Sequence, residues 1–173
     1  MKIRSSPFNS SVQILIIMGV SGSGKTTIGT LLAKDLGWSF YEGDNFHSQK
    51  NINKMTCGVP LTDADREPWL QALRQLIEEL IITSEHAVIS CSALKQGYRD
   101  VLAANSPRIG FVYLKSSDSL IRERLSKREM HFMNEVLLES QLHELEEPDD
   151  ALILDPAFPP QFLISQIKKN LEF

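Results

Sequence analysis

Eight consecutive residues, Gly19-Val20-Ser21-Gly22-Ser23-Gly24-Lys25-Thr26, satisfy every fixed position of the pattern G-x-x-x-x-G-K-[ST]. This run constrains the fold more than any other feature, because it serves a purpose only between a strand and a helix. Both neighbours are present. Gln13 to Met18 is a short apolar run stopped by glycine, and Ile28, Leu31, Leu32 and Leu36 repeat at helical spacing before Gly37, a C-cap glycine. In such a turn the glycines let the backbone curl until successive N–H groups face a phosphate, and the helix N-terminus adds a partial positive charge. Lys25 is then placed to reach the β- and γ-phosphates of a nucleotide, and the Thr26 hydroxyl to ligate Mg²⁺. Thr27 completes the nucleotide-binding set of this loop.

Alternation carries the rest of the chain. Trp38 to Tyr41 reads as a second short strand ending at Glu42-Gly43-Asp44, followed by a helix around His47 to Met55. The stretch 58–68 holds two prolines and acidic turn residues and reads as a loop. Trp69, Leu73, Leu76, Ile77, Leu80 and Ile81 mark an amphipathic helix with Pro68 near its first turn. Ala87 to Cys91 and Ile109 to Leu114 are strands on either side of a short helix over Lys95 to Ala104. Ser116 or Ser117 is positioned to cap a helix carrying Leu120, Ile121 and Leu125. Lys127 to Glu147 is charged and weakly periodic, Ala151 to Leu154 is a last strand, and Gln161 to Leu171 a closing helix. The expected fold class is α/β, a parallel sheet with helices on both faces, in one domain over 1–173.

Composition narrows the function classes. A chain of 173 residues with 42% apolar and 23% charged residues can bury one core unaided. A net charge of −4 argues against a broad nucleic-acid footprint, which needs a basic face, so an anionic ligand must meet a local basic cluster. Cys57 and Cys91 have no CxxC neighbour and read as reduced thiols of a cytoplasmic protein. The longest apolar run, Ile14 to Val20, is too short to span a bilayer, and no membrane partner is expected.

Three further features bear on chemistry. Asp44 stands at the carboxyl end of the second strand, where an open α/β sheet faces its ligand. There it can take the proton of an attacking hydroxyl or organise Mg²⁺, or it can simply cap the next helix. A lone His47 at a helix start is ordinarily a surface residue. Arg122, Arg124, Lys127, Arg128 and His131 form a basic run that is either a solvated face or a lid whose arginines reach a transferring phosphoryl group.

Together with the phosphate loop, several blocks resemble bacterial-type gluconokinases. They are Gly43-Asp44-Asn45-Phe46-His47, Asn51 to Met55, Gly58 to Arg66, Pro68-Trp69-Leu70, Cys91 to Lys95 with Tyr98-Arg99-Asp100, His131-Phe132-Met133, and Leu145-Glu146 with Pro148. The resemblance runs from about Ile14 to Asp155. It implies the three-layer P-loop kinase fold of the shikimate-kinase-like branch, with a core over about 12–126 and 148–173 and a helical lid over about 127–147. It further implies ATP and Mg²⁺ as cofactors, D-gluconate, a sugar acid, as the small-molecule substrate, and a homodimer. Carried over by position, Lys25, Asp44 and Arg128 are the catalytic residues, with Thr26 and Asp44 at the metal. His47, Lys54, Arg66, Lys95 and Arg99 form with Asp44 the substrate side, and Arg124 covers adenine. Glu42 departs from the pattern, which has Asp before the Gly-Asp pair.

Other readings make different demands. A nucleotide-dependent switch that binds GTP should carry Asp-x-x-Gly and Asn-Lys-x-Asp elements, and neither occurs. Within kinases, a shikimate or nucleoside-monophosphate kinase uses a similar mixture of cations and hydroxyl-binding groups.

Overall fold

The computed structural model describes residues 8, 11–127 and 135–171. Five parallel strands, β1 (Ile14–Met18), β2 (Ser39–Glu42), β3 (Ala87–Ser90), β4 (Ile109–Leu114) and β5 (Leu152–Leu154), form one sheet in the order β2-β3-β1-β4-β5. β1, β3 and β4 are buried along their whole length, as central strands covered on both faces must be. The edge strands β2 and β5 are only partly covered.

Opposite faces of the strands feed two cores. Leu15, Ile17, Val88 and Val112 pack against helix α1 (Lys25–Leu36) and the last helix, which runs from Pro160 to Asn170. Ile14, Ile16, Ile89 and Phe111 pack against α3 (Asp63–Ile82) and α4 (Gln96–Ala103). α2 (Gln49–Thr56) lies between β2 and α3, α5 (Asp118–Ser126) follows β4, and α6 (Glu135–Glu144) precedes β5, so the closing helix is α7. Leu73 and Ile77 of α3 are fully buried, and cutting either back to alanine costs about 2–5 kcal/mol. A third cluster, Val20, Leu94, Ile121 and Leu138, joins the phosphate loop to α5 and α6 above the carboxyl ends of the strands.

One expectation is corrected. The stretch expected to be loop as far as Pro68 turns helical at Asp63. Thr62 accepts from the Asp65 backbone N–H at 3.2 Å while the Asp65 carboxylate accepts from the Thr62 N–H at 3.0 Å, a reciprocal capping box. Pro68 therefore lies inside α3 rather than at its start, and the helix absorbs the lost N–H because Trp69, Leu70 and Leu73 bury its next turn. The weakly periodic stretch 127–147 contains α6, whose Leu137 and Leu138 are buried.

Candidate active site

The phosphate loop sits where the sequence puts it, between β1 and α1. Gly19 has a φ of +141°, and a Cβ there would come 3.0 Å from the Leu114 carbonyl oxygen. No side chain caps the N-terminus of α1 and no acidic residue occupies its first turn, so the helix end keeps its attraction for an anion. The Lys25 ammonium donates to the Val20 carbonyl oxygen at 3.1 Å, folded over the loop.

Two cavities share this loop. One, of about 370 Å³, is lined by Gly22, Gly24, Thr27, Arg124, Pro156 and Phe158. The other, of about 250 Å³, is lined by Ser21, Lys25, Asp44, His47, Arg66 and Gln141. Gly22 and Gly24 thus face one ligand space, and Ser21 and Lys25 the other.

Asp44 reaches the second cavity from a single 3₁₀ turn, Gly43–Phe46. That turn needs glycine at its first position, since a Cβ on Gly43 would lie 2.2 Å from the Ser90 carbonyl oxygen. The Trp69 indole N–H donates to the Gly43 carbonyl at 2.8 Å, and His47 stacks on Trp69 with ring centroids 4.4 Å apart. Ser48, accepting from the Asn51 N–H, is the cap of α2. The capping alternative for Asp44 is thereby removed, and its carboxylate stays exposed on the cavity wall. Burial holds the His47 imidazole below its usual value, against the opposing pull of the Asp44 charge.

The other substrate-side residues divide. Arg66 is buried yet lines the cavity, where it donates to the Tyr98 hydroxyl at 3.0 Å and pairs with Glu144 of α6 at 2.8 Å. Lys54 is instead held by both carboxylate oxygens of Asp65, at 2.9 and 2.7 Å, which keeps the Asp65 carboxyl well below the usual carboxylate range. Lys95 donates to Asp63 at 2.7 Å, and that bond raises its own pKa and lowers the aspartate's. Arg99 is buried with its guanidinium on the Ala93 and Leu94 carbonyls, at 2.9 and 3.1 Å, and borders a separate cavity beside α4. The structure does not bring Lys54, Lys95 and Arg99 onto the wall that holds Lys25 and Asp44. They brace the segments that form it.

The basic run also divides. Arg122 bonds to Glu135 and Glu139, tying α5 to α6, and Lys127 pairs with Glu123 at 2.6 Å. Arg124 borders the larger cavity and donates to the Ser23 and Pro156 carbonyls at 3.1 and 2.6 Å. Arg128 and His131 lie outside the described residues.

Sequence reasoning gave no role to four residues that the structure places at the site. Glu42 accepts hydrogen bonds from the Thr26 hydroxyl at 2.6 Å and from the Ser90 hydroxyl. Its position before Gly43-Asp44 was the available signal. Pro156 and Phe158 border the larger cavity from a turn with no motif. Gln141 of α6 accepts from the Ser21 backbone N–H at 2.7 Å, across a separation no local pattern reveals.

The oxygen set of Thr26, Glu42 and Asp44 suits a hard cation such as Mg²⁺ in its chemistry. Among the described residues no group of three or more His, Cys, Asp or Glu side chains forms a protein-only metal cage. No helix among the described residues is long and apolar enough to cross a membrane.

Comparison with known proteins agrees with this geometry. Residues 21–152 match the family described as Shikimate kinase. The chain is 48% identical over 138 residues to a gluconokinase of Gluconobacter oxydans, covering 80% of this chain and 78% of that protein. It is 41% identical over 151 residues to the thermoresistant gluconokinase of Escherichia coli, covering 85% and 86%. A solved gluconokinase from Sinorhizobium meliloti superposes with a TM-score of 0.81 at 40% identity, covering 98% of this chain and 94% of that one.

Proposed function

Because the chain belongs to the gluconokinase family of P-loop kinases, we propose that it transfers the γ-phosphoryl group of ATP to the 6-hydroxyl of D-gluconate. The observation that carries the reading is the pair of cavities joined by one phosphate loop. The larger takes the nucleoside end of ATP beside Arg124 and Phe158, and the smaller takes the acceptor beside Lys25 and Asp44.

In the reaction the acceptor oxygen forms a bond to Pγ as the bridging Pγ–O bond breaks. The electron pair leaves with ADP, and the hydroxyl proton passes to Asp44. The exposed carboxylate of Asp44 suits that exchange, since nothing in the described structure holds it as a helix cap. Lys25 follows the β- and γ-phosphates, and its present bond to a carbonyl is one it can exchange for a charged oxygen. Thr26, Glu42 and Asp44 are the residues that would hold Mg²⁺, which when bound would neutralise phosphate charge. Arg128, from the lid over 127–147, is the arginine assigned to the transferring group.

The acceptor carboxylate is assigned to Arg66. Of the cations named for the substrate side, only Arg66 and the neutral-leaning His47 line the cavity. Its guanidinium is planar and forked, and Glu144 at 2.8 Å and Asp63 at 4.0 Å offset part of its charge. Hydroxyls of a polyol find Asn45, His47 and Ser92 on the same wall. Shikimate is the second acceptor to test, because the matched family bears that description.

The chain is further proposed to act as a single domain with a lid, as a homodimer, and in the cytoplasm. Incubation with ATP, Mg²⁺ and gluconate followed by ³¹P NMR should give one phosphomonoester signal coupled to methylene protons. ADP release without such a signal would overturn the acceptor assignment.

A further inference from the structure

The face of α6 turned toward the acceptor cavity carries Leu137, Ser140 and Gln141, and Glu144 one turn later reaches Arg66. Leu138 on a neighbouring face packs with Val20, Leu94 and Ile121, so α6 is seated by its apolar side. Gln141 is not part of that apolar cluster. Its carboxamide oxygen accepts the Ser21 backbone N–H at 2.7 Å.

Ser21 marks a particular end of the phosphate loop. Gly22, Ser23 and Gly24 border the cavity of Arg124 and Phe158, whereas Ser21 borders the cavity of Lys25 and Asp44. The bond from Ser21 therefore pins Gln141 on the loop beside the cavity of Lys25 and Asp44. It also fixes the orientation of the amide, because a backbone N–H can be accepted only by Oε1. Nε2 is left with two N–H donors that no described residue accepts.

We propose that Gln141 is a catalytic residue of the phosphoryl transfer. With Oε1 anchored on Ser21, Nε2 donates to an oxygen of the γ-phosphoryl group at the mouth of the acceptor cavity. A neutral donor fixed in advance stabilises charge that develops in transfer without reorganising, and adds to Lys25 without repelling it. It also makes turnover depend on α6 being seated, since the donor arrives with the helix. This role rests on the kinase reading above and deepens it.

Two substitutions separate this role from mere anchoring of α6. Gln141→Glu keeps an oxygen for the Ser21 N–H and replaces the donor by a negative charge, whereas Gln141→Ala removes both. The proposed role requires kcat to fall roughly 10- to 100-fold in Gln141→Ala and further in Gln141→Glu, with little change in KM for ATP. A structural anchor alone requires Gln141→Glu to behave as the parent. A second measurement needs no acceptor: the tightening of MgADP binding by beryllium fluoride, a tetrahedral mimic of the γ-phosphoryl group. Both variants should lose about 10-fold of that tightening while binding MgADP alone as the parent does. Retained tightening with parental kcat overturns the proposal, and so does stronger tightening in Gln141→Ala, which would make Gln141 a competitor of the phosphate. If the parent fails to phosphorylate gluconate while the fluoride result holds, the acceptor assignment falls and the role of Gln141 stands.

Discussion

The Thr26 hydroxyl donates to the Glu42 carboxylate at 2.6 Å, tying the first turn of α1 to the last residue of β2. The other Glu42 oxygen accepts from Ser90 at the end of β3, so one carboxylate links three segments around the proposed metal position. Thr26→Val removes the proposed metal ligand and a donor to Glu42 together. It should raise the Mg²⁺ concentration for half-maximal activity far more than it changes the melting temperature. Glu42→Gln keeps one acceptor oxygen, turns the other contact into an amide N–H donating to a hydroxyl, and removes the charge, so it should give a smaller shift in the same direction. Activity titrated with Mg²⁺ at fixed ATP checks both, and an unchanged titration in Thr26→Val removes that hydroxyl from the metal.

Lys25 and Asp44 border one cavity, yet they should fail differently. Lys25→Met should abolish transfer in a folded protein, since its ammonium lies over the phosphate loop, where it donates to the Val20 carbonyl, and is no part of either apolar core. Asp44→Asn should cost about 10²–10⁴ in kcat, the ordinary scale for losing a general base. Because Ser48 caps α2, the substitution should leave thermal unfolding nearly unchanged. A stable Asp44→Asn enzyme with parental kcat removes the base.

The succession of strands along the chain and the phosphate loop were legible because β-branched runs and glycine punctuation are local signals. The start of α3 was not, because the capping box uses Asp65 where Glu or Gln marks the motif, and Pro68 argued for a loop. The candidate site shows the same division. Asp44 and Arg66 could be located from blocks, but nothing in the spacing of Lys54 or Lys95 reveals that Asp65 and Asp63 already occupy their ammonium groups. Pairing of charges is a tertiary fact. Gln141 and Phe158 were invisible for the same reason, since each meets the loop only through the fold.

The two arginines assigned to ATP should separate in kinetics. Arg128→Ala should lower kcat by up to ~10³-fold with a modest effect on KM for ATP, as expected of a cation that acts on developing charge. Arg124→Ala should mainly raise KM for ATP, because its guanidinium holds the Ser23 and Pro156 carbonyls equally in ground and transition states. Initial rates over a matrix of ATP concentrations read both parameters, and the reverse pattern would exchange the two assignments.

His47 gives stability a pH dependence. Burial lowers its folded pKa below the usual 6.5, so its neutral form is favoured in the folded protein and protonation opposes folding. The sign follows: this contribution is present in full above about pH 6.5 and is lost as pH falls below it, through the folded pKa. Asp63 and Asp65, whose carboxyls are depressed by Lys95 and Lys54, lose theirs only below about pH 4. Melting temperature followed from about pH 7.5 to about pH 5 should decline in the parent and stay flatter in His47→Gln. Equal slopes would mean that His47 titrates alike in both states.

The acceptor is proposed to be a sugar acid recognised through its carboxylate by Arg66. The most direct test of this assignment is kcat/KM for D-gluconate in the parent and in Arg66→Met, set beside D-glucose, which lacks the carboxylate, and shikimate. Gluconate should be the preferred acceptor of the parent and glucose poor, with a fall of roughly 10²-fold or more for gluconate in Arg66→Met and glucose little affected. Robust turnover of shikimate with none of gluconate, or an Arg66→Met enzyme that keeps its preference for gluconate over glucose, would contradict the assignment.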